Sequence, residues 1–167
     1  MATTVAANFE ITLSTLVTLT GNLVSQADKT YTLNGLNEAV ALNASSTPPI
    51  TKASYGEVTM SSGTGSINLA ALPGQSGDET VVGTGLKLQA LIVRNKSTNA
   101  NKITVAKGGS NGYGLNAAED AWTVTLDPGC WAAVSLKDTP PDVASGKRVI
   151  DVTGTGAQVL EFAVLLG

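Results

Sequence analysis

The sequence is poor in the residues that carry most enzymatic chemistry. Its 167 residues include no histidine and a single cysteine, Cys130. This excludes a zinc site made of cysteine and histidine ligands, and a nucleophile activated by histidine. One cysteine cannot form an intrachain disulfide, so the fold does not depend on oxidation. The sequence therefore predicts no catalytic residues, no metal site and no cofactor.

Charged residues are also scarce. They make up 14% of the chain, and the net charge is −3, whereas an average soluble domain is about 25% charged. The ten lysines and arginines are scattered and form no basic stripe that could neutralise phosphates, so nucleic acid is not an expected partner. The surface must consist mainly of Thr, Ser, Asn, Gly and Ala. Such a surface suits contact with other subunits, because ordering Lys and Glu side chains costs rotamer entropy.

Long apolar runs are missing as well. No stretch approaches the roughly 20 apolar residues of a membrane-spanning helix. Residues 1–8 lack the basic and apolar regions of a secretion signal. We therefore expect no membrane partner and synthesis in a cytoplasm.

Paired acidic residues and glycine-rich turns do not combine into a site. The pairs Asp78-Glu79 and Glu119-Asp120 are adjacent in apparent turns, so their side chains diverge instead of converging across a cleft as glycosidase carboxylates do. Glycines that precede apolar strands lack the helix and the spacing of a dinucleotide-binding motif. Of the function classes considered, an enzyme is the one that the sequence favours least.

The chain does contain many short strands, beginning with a long one at residues 9–19. There Phe9, Ile11, Leu13, Val17 and Leu19 alternate with polar residues, which indicates a strand with one buried face. A long terminal strand of this kind can pair with a neighbouring subunit. We therefore predict an extended N-terminal β-strand arm whose five apolar residues lie at an interface.

Short strands are expected at residues 30–33 and 38–42. The Ser- and Pro-rich segment 43–49 is predicted to be a linker. The prediction is an arm or subdomain at 1–46 followed by a β-sandwich domain at 47–167. Within the latter, strands are predicted at residues 55–61, 66–69, 86–94, 102–106, 121–126, 130–136, 149–152 and 158–166.

Close spacing of these strands, with turn residues between them, predicts an all-β fold: an antiparallel, jelly-roll-like β-sandwich. Pro128 and Gly129 match the second and third positions of a type II turn. The turn is expected to close a hairpin, and the Asn-rich segment 94–101 to close another.

The few aromatic residues fall on different strand faces. Trp122 shares its face with Val124 and Leu126 and is expected in the core. Trp131 lies opposite the apolar face of its strand, so it is predicted to point outward, where it can serve as an interface anchor or a sugar-stacking platform. Tyr113, in a Gly-rich loop, is predicted to be a second surface contact.

The chain from about residue 55 onward resembles small virion proteins of tailed bacteriophages, most closely the head decoration or cement proteins. The features that carry the resemblance are the series of short strands, the Asn-rich segment from Asn95 to Asn101, the Gly-rich loop around Tyr113, the Pro128-Gly129 turn and the apolar strand ending at Leu166-Gly167.

The resemblance implies a homo-oligomer, most simply a trimer, on the outer surface of a virion. It would bind the major capsid protein, bridge its subunits and stabilise the shell. Two alternatives stay open at this stage: a carbohydrate- or receptor-binding β-sandwich, and another virion component such as a tail tube or head fibre protein.

Overall fold

The computed structural model describes residues 6–19, 29–43, 45–74, 79–136 and 139–167, with side chains from Leu42 onward. Within these ranges the protein consists of β-strands and loops without a helix. The strands are β1 (Ala6–Leu19), β2 (Lys29–Asn43), β3 (Lys52–Thr59), β4 (Thr64–Asn68), β5 (Leu72–Pro73), β6 (Thr80–Val81), β7 (Leu88–Asn95), β8 (Ile103–Lys107), β9 (Thr123–Leu126), β10 (Trp131–Ser135), β11 (Val149–Thr153) and β12 (Val159–Leu166).

The chain forms two compact units. The smaller one is Ala6–Leu42, in which β1 and β2 form a two-stranded sheet. The strand predicted at residues 9–19 is present as β1, whereas the two short strands predicted at 30–33 and 38–42 are one continuous strand, β2. The side chains of Phe9, Ile11, Leu13, Val17 and Leu19 lie outside the described residues.

The larger unit, residues 43–167, contains two four-stranded antiparallel sheets. The front sheet has the strand order β10-β7-β12-β3, and the back sheet has the order β4-β11-β8-β9. Among the described residues each sheet has an open strand order with an edge strand on either side, so the arrangement is not a closed barrel. Each of the eight strands predicted after residue 50 is present to within a few residues. The very short pair β5 and β6 was not predicted.

Alternation along the strands places one core between the two sheets. On β12, Leu160, Phe162, Val164 and Leu166 are buried. They belong to one apolar cluster with residues of the back sheet such as Ile103. Burying each such side chain contributes about 1.5–3 kcal/mol, so this shared core makes the unit sandwich-like.

Neither predicted hairpin forms. The Pro128-Gly129 turn is present, with Gly129 at φ 82° and Cys130 N–H bonded to Asp127 O at 3.0 Å. However, β9 before the turn belongs to the back sheet and β10 after it to the front sheet. Segment 94–101 likewise connects β7 in the front sheet to β8 in the back sheet. Turn residues determine where the chain reverses direction. They do not determine which strand the next strand pairs with, so both segments can cross between the sheets.

A cluster of amide side chains links the two sheets where these crossings occur. Asn95 is fully buried, and its Nδ2 donates to Leu126 O at 2.9 Å and to Asn101 O at 3.1 Å. Asn99 donates to Asn95 Oδ1 at 2.6 Å and to Val159 O at 2.7 Å. Asn95 and Val159 lie in the front sheet and Leu126 in the back sheet, so this cluster satisfies backbone groups of both.

We predict that Asn95→Ala lowers the free energy of unfolding by about 2–3 kcal/mol, because it leaves the buried carbonyl of Leu126 without its donor and removes the acceptor of Asn99. Urea denaturation monitored by circular dichroism measures the change. The matched control is Asn116→Ala, whose side-chain bonds to Asp120 are exposed and which should change stability by under about 1 kcal/mol. Equal losses in the two variants would contradict a linking role for Asn95.

Candidate functional site

The prediction that the side chain of Trp131 points outward is confirmed. Its side chain is 61% exposed on the outer face of the front sheet, and Ala132 and Val134 on the same strand pack against the core. Trp122 is half-buried against the core, as predicted, and its Nε1 donates to Tyr113 O at 2.9 Å.

The surface position predicted for Tyr113 is wrong. Its side chain is fully buried. The hydroxyl donates to Pro141 O at 2.7 Å and accepts from Leu88 N–H at 3.0 Å. Burial raises the pKa of Tyr113 to about 12. Three segments distant in sequence meet at this phenol, so Tyr113 is a core residue that holds loops to β7 and cannot contact a partner.

We expect Tyr113→Phe to destabilise the protein by about 2 kcal/mol, because the buried N–H of Leu88 and the partly buried carbonyl of Pro141 lose their partner. The control with the same chemistry is Tyr55→Phe, which removes a hydroxyl from a side chain that is 57% exposed and should cost no more than about 0.5 kcal/mol. Thermal and urea unfolding of both variants would show the difference; a neutral Tyr113→Phe would mean that water replaces the phenol.

Two rows of side chains run across the outer face of the front sheet. Strand register places Trp131, Arg94, Glu161 and Glu57 opposite one another in the first row. The second row contains Ala133, Ile92, Ala163 and Tyr55. Because directly opposed side chains on one face are close neighbours, the sheet brings together residues far apart in sequence, such as Tyr55 and its partner Ala163. Tyr55 and Glu161, in adjacent rows, are 106 positions apart.

The small side chain of Ala163 leaves a depression between the larger residues around it. We call this depression the front pocket. Its volume is about 340 Å³. It is lined by Tyr55, Ile92, Arg94, Trp131, Glu161, Phe162 and Ala163.

Glu161 is the polar centre of the front pocket. Only 8% of the residue is exposed. Its carboxylate accepts a hydrogen bond from Arg94 Nε, lies 4.0 Å from Lys96 Nζ and is 3.5 Å from the hydroxyl of Tyr55. The hydrogen bond from Arg94, with the charges of Arg94 and Lys96, holds the pKa of Glu161 below its usual range. Glu161 is therefore an ionised acceptor at neutral pH.

Lys96 also pairs with Glu57 at the margin of the front pocket. The group thus has two cations, Arg94 and Lys96, and two anions, Glu57 and Glu161, so its formal charges cancel. Such a group can hydrogen-bond a ligand but offers no net charge to attract an ion.

We predict that Glu161→Gln is destabilising at neutral pH, since Arg94 loses its charged partner. The pKa of Glu161 is lowered in the folded protein, so this stabilisation is present above the ordinary glutamate pKa of about 4.3 and is lost as the pH falls through the folded value. Urea unfolding of wild type and variant over a pH series measures it. The stability difference should shrink in acid.

The control for this series is Asp127→Asn, which removes an ion pair with Lys102 whose two side chains are both more than half exposed. Its effect should be small at every pH, because exposed pairs contribute little. A loss in Glu161→Gln that does not change with pH would contradict the role assigned to the ionised carboxylate.

Sequence reasoning missed Tyr55, Ile92, Arg94 and Glu161 as site residues. One signal was available: Glu161 is the only charged residue in the apolar strand at 159–166, and a carboxylate in such a strand needs a cation. The sequence does not show which cation pairs with it, because Arg94 is 67 residues away.

No family model matches the chain, and neither a curated protein nor a solved structure is significantly similar to it. Within the described ranges, no three acidic or cysteine side chains converge as metal ligands. The same residues contain no helix that is long and apolar enough to span a bilayer.

Proposed function

We propose that the protein is a structural component of a tailed-bacteriophage virion, a head decoration protein that binds the outside of the capsid and stabilises it by bridging major capsid protein subunits. The observation that carries the proposal is the strand order of the two sheets. The smaller unit and the low surface charge support it.

The eight principal strands pair from the outside inward. Numbered in chain order, the first (β3) pairs with the eighth (β12), the second (β4) with the seventh (β11), the third (β7) with the sixth (β10) and the fourth (β8) with the fifth (β9). This is the pattern obtained when one long hairpin is folded over on itself. It supports a jelly roll, an architecture that recurs in viral capsid and lectin domains and in cupins.

The smaller unit supports a role in assembly. A two-stranded sheet is marginally stable in water on its own, yet β1 and β2 have 14 and 15 residues. At about 3.3 Å per residue each strand is roughly 45–50 Å long. We infer that this unit is an arm that adds its strand edge to a neighbouring copy or to the capsid, because unpaired edges recruit further strands.

Bridging gives such a protein its effect without a strong single contact. A symmetric oligomer that touches several capsid subunits makes its later contacts intramolecular, which raises the overall affinity by about 10²–10⁴. A shell held at many points in this way resists the outward pressure of packaged DNA.

The test compares the full chain with a variant that lacks residues 6–42, using light scattering coupled to size exclusion. We expect the full chain to form a stable oligomer, most simply a trimer of three times 16.9 kDa, and the deletion variant to be a folded monomer. A full chain that stays monomeric, or a deletion that assembles normally, would contradict the proposal.

The site on the virion is tested separately. Antibodies raised against the purified chain should label the heads of phage particles produced by the cell that encodes it, as seen by electron microscopy. Labelling confined to tails or fibres would contradict the head decoration role and would indicate a tail or fibre protein instead.

A further inference from the structure

The front pocket brings together most of the exposed large hydrophobic side chains of the described residues. Four large hydrophobic side chains among them are exposed: Tyr55, Val82, Ile92 and Trp131. Three of these four line the front pocket. Its volume of about 340 Å³ falls within the range of small-molecule sites, which combine apolar and aromatic walls with a few fixed polar groups.

The charged groups of the pocket restrict the ligand. Because the charges of Arg94, Lys96, Glu57 and Glu161 cancel, neither a phosphate nor an ammonium ion gains a net attraction. Hydrogen-bonding capacity nevertheless remains. Among the described residues, no protein group bonds to the terminal Nη atoms of Arg94 or to Nε1 of Trp131.

A second cavity adjoins the front pocket across the Arg94–Glu161 pair. Its volume is about 260 Å³, and its other lining residues are Lys96, Ser97, Thr98 and Gly129. The two cavities form a groove that is aromatic at one end and polar at the other, with the ion pair between them. A ligand that spans the groove must be apolar on one face and rich in hydroxyl groups.

We propose that this groove binds a neutral saccharide, with a pyranose ring stacked on Trp131 and its hydroxyl groups hydrogen-bonded to Arg94 and Glu161. The C–H face of a pyranose is apolar and carries a slight positive charge, which suits the negative face of an indole ring. The sugar hydroxyls donate to the fixed carboxylate of Glu161 and accept from the free N–H groups of Arg94. The proposal does not depend on the virion role.

An apolar partner fits the groove less well. Covering Arg94 and Glu161 with apolar side chains would remove water from their remaining donor and acceptor sites without replacing its hydrogen bonds, which is unfavourable for each group. A second copy docked through Trp131 faces the same cost. The polar centre therefore favours a hydroxylated ligand over a protein surface.

The test uses the full chain labelled with ¹⁵N and a panel of neutral mono- and disaccharides at concentrations up to about 10 mM, enough to saturate a site with a Kd of about 1 mM. The two tryptophans give two indole N–H signals in the spectrum. We expect a saccharide to shift the signal of Trp131 and to leave that of Trp122 unchanged, since Trp122 is bonded to Tyr113 O.

Variants assign the site. Trp131→Ala should weaken binding at least about tenfold, as expected for loss of an aromatic anchor, and Arg94→Met should weaken it as well. The control is Val82→Ala, which removes the one exposed large hydrophobic side chain outside the pocket among the described residues. It should bind as the wild type does.

Three results would overturn the proposal: no shift of the Trp131 signal with any sugar of the panel, binding of inorganic phosphate or tetramethylammonium in place of sugars, or a fall in solution mass in Trp131→Ala. The last would show that a second copy covers the face. Deletion of residues 6–42 separates the two proposals, because it should abolish assembly and leave the saccharide shift in place.

Discussion

The alternation of side chains along β-strands is the constraint on which the larger unit depends. The two sheets share one core, so most inward-facing residues of their strands are apolar and the residues between them face outward. On β12 this rule buries Leu160, Phe162 and Val164 and turns Glu161 and Ala163 to the outer face. A shift of one residue in register would place the carboxylate of Glu161 in the core. The front pocket therefore exists only in the register that builds the core.

The same alternation explains how much could be predicted. Alternation predicted eight of the ten strands of the larger unit and the outward face of Trp131, because both are encoded within a few neighbouring residues. Alternation could not predict which strands pair with each other. The turn at Pro128-Gly129 has the expected geometry, but whether the next strand pairs with the previous one or crosses to the other sheet depends on contacts far away in sequence. Asn95, which satisfies backbone groups in both sheets, is one such contact.

The site was predictable only in part for the same reason. Tyr113 lies in a Gly-rich segment that is typical of an exposed loop, yet its phenol is held by Leu88 and Pro141, 25 and 28 residues away. In the sequence, Arg94 has no feature that distinguishes it from other surface cations. Its contact with Glu161 arises only from the pairing of β7 with β12. The residue types along one strand predict which face of that strand is buried. A site needs side chains from several strands in register, and that register depends on the packing of the whole core.

The ion pair at the centre of the front pocket also connects the two proposals. Arg94 uses Nε to fix Glu161, which keeps its terminal nitrogens free and orders the acceptor before a ligand arrives; this preorganisation reduces the entropy lost on binding. A shallow site with few hydrogen bonds would bind a single sugar only weakly. An oligomer with several copies of the site, fixed on a shell that carries many oligomers, would bind a glycan surface with far higher avidity. If both proposals hold, weak recognition by the larger unit and assembly through the smaller unit would be complementary properties of one chain.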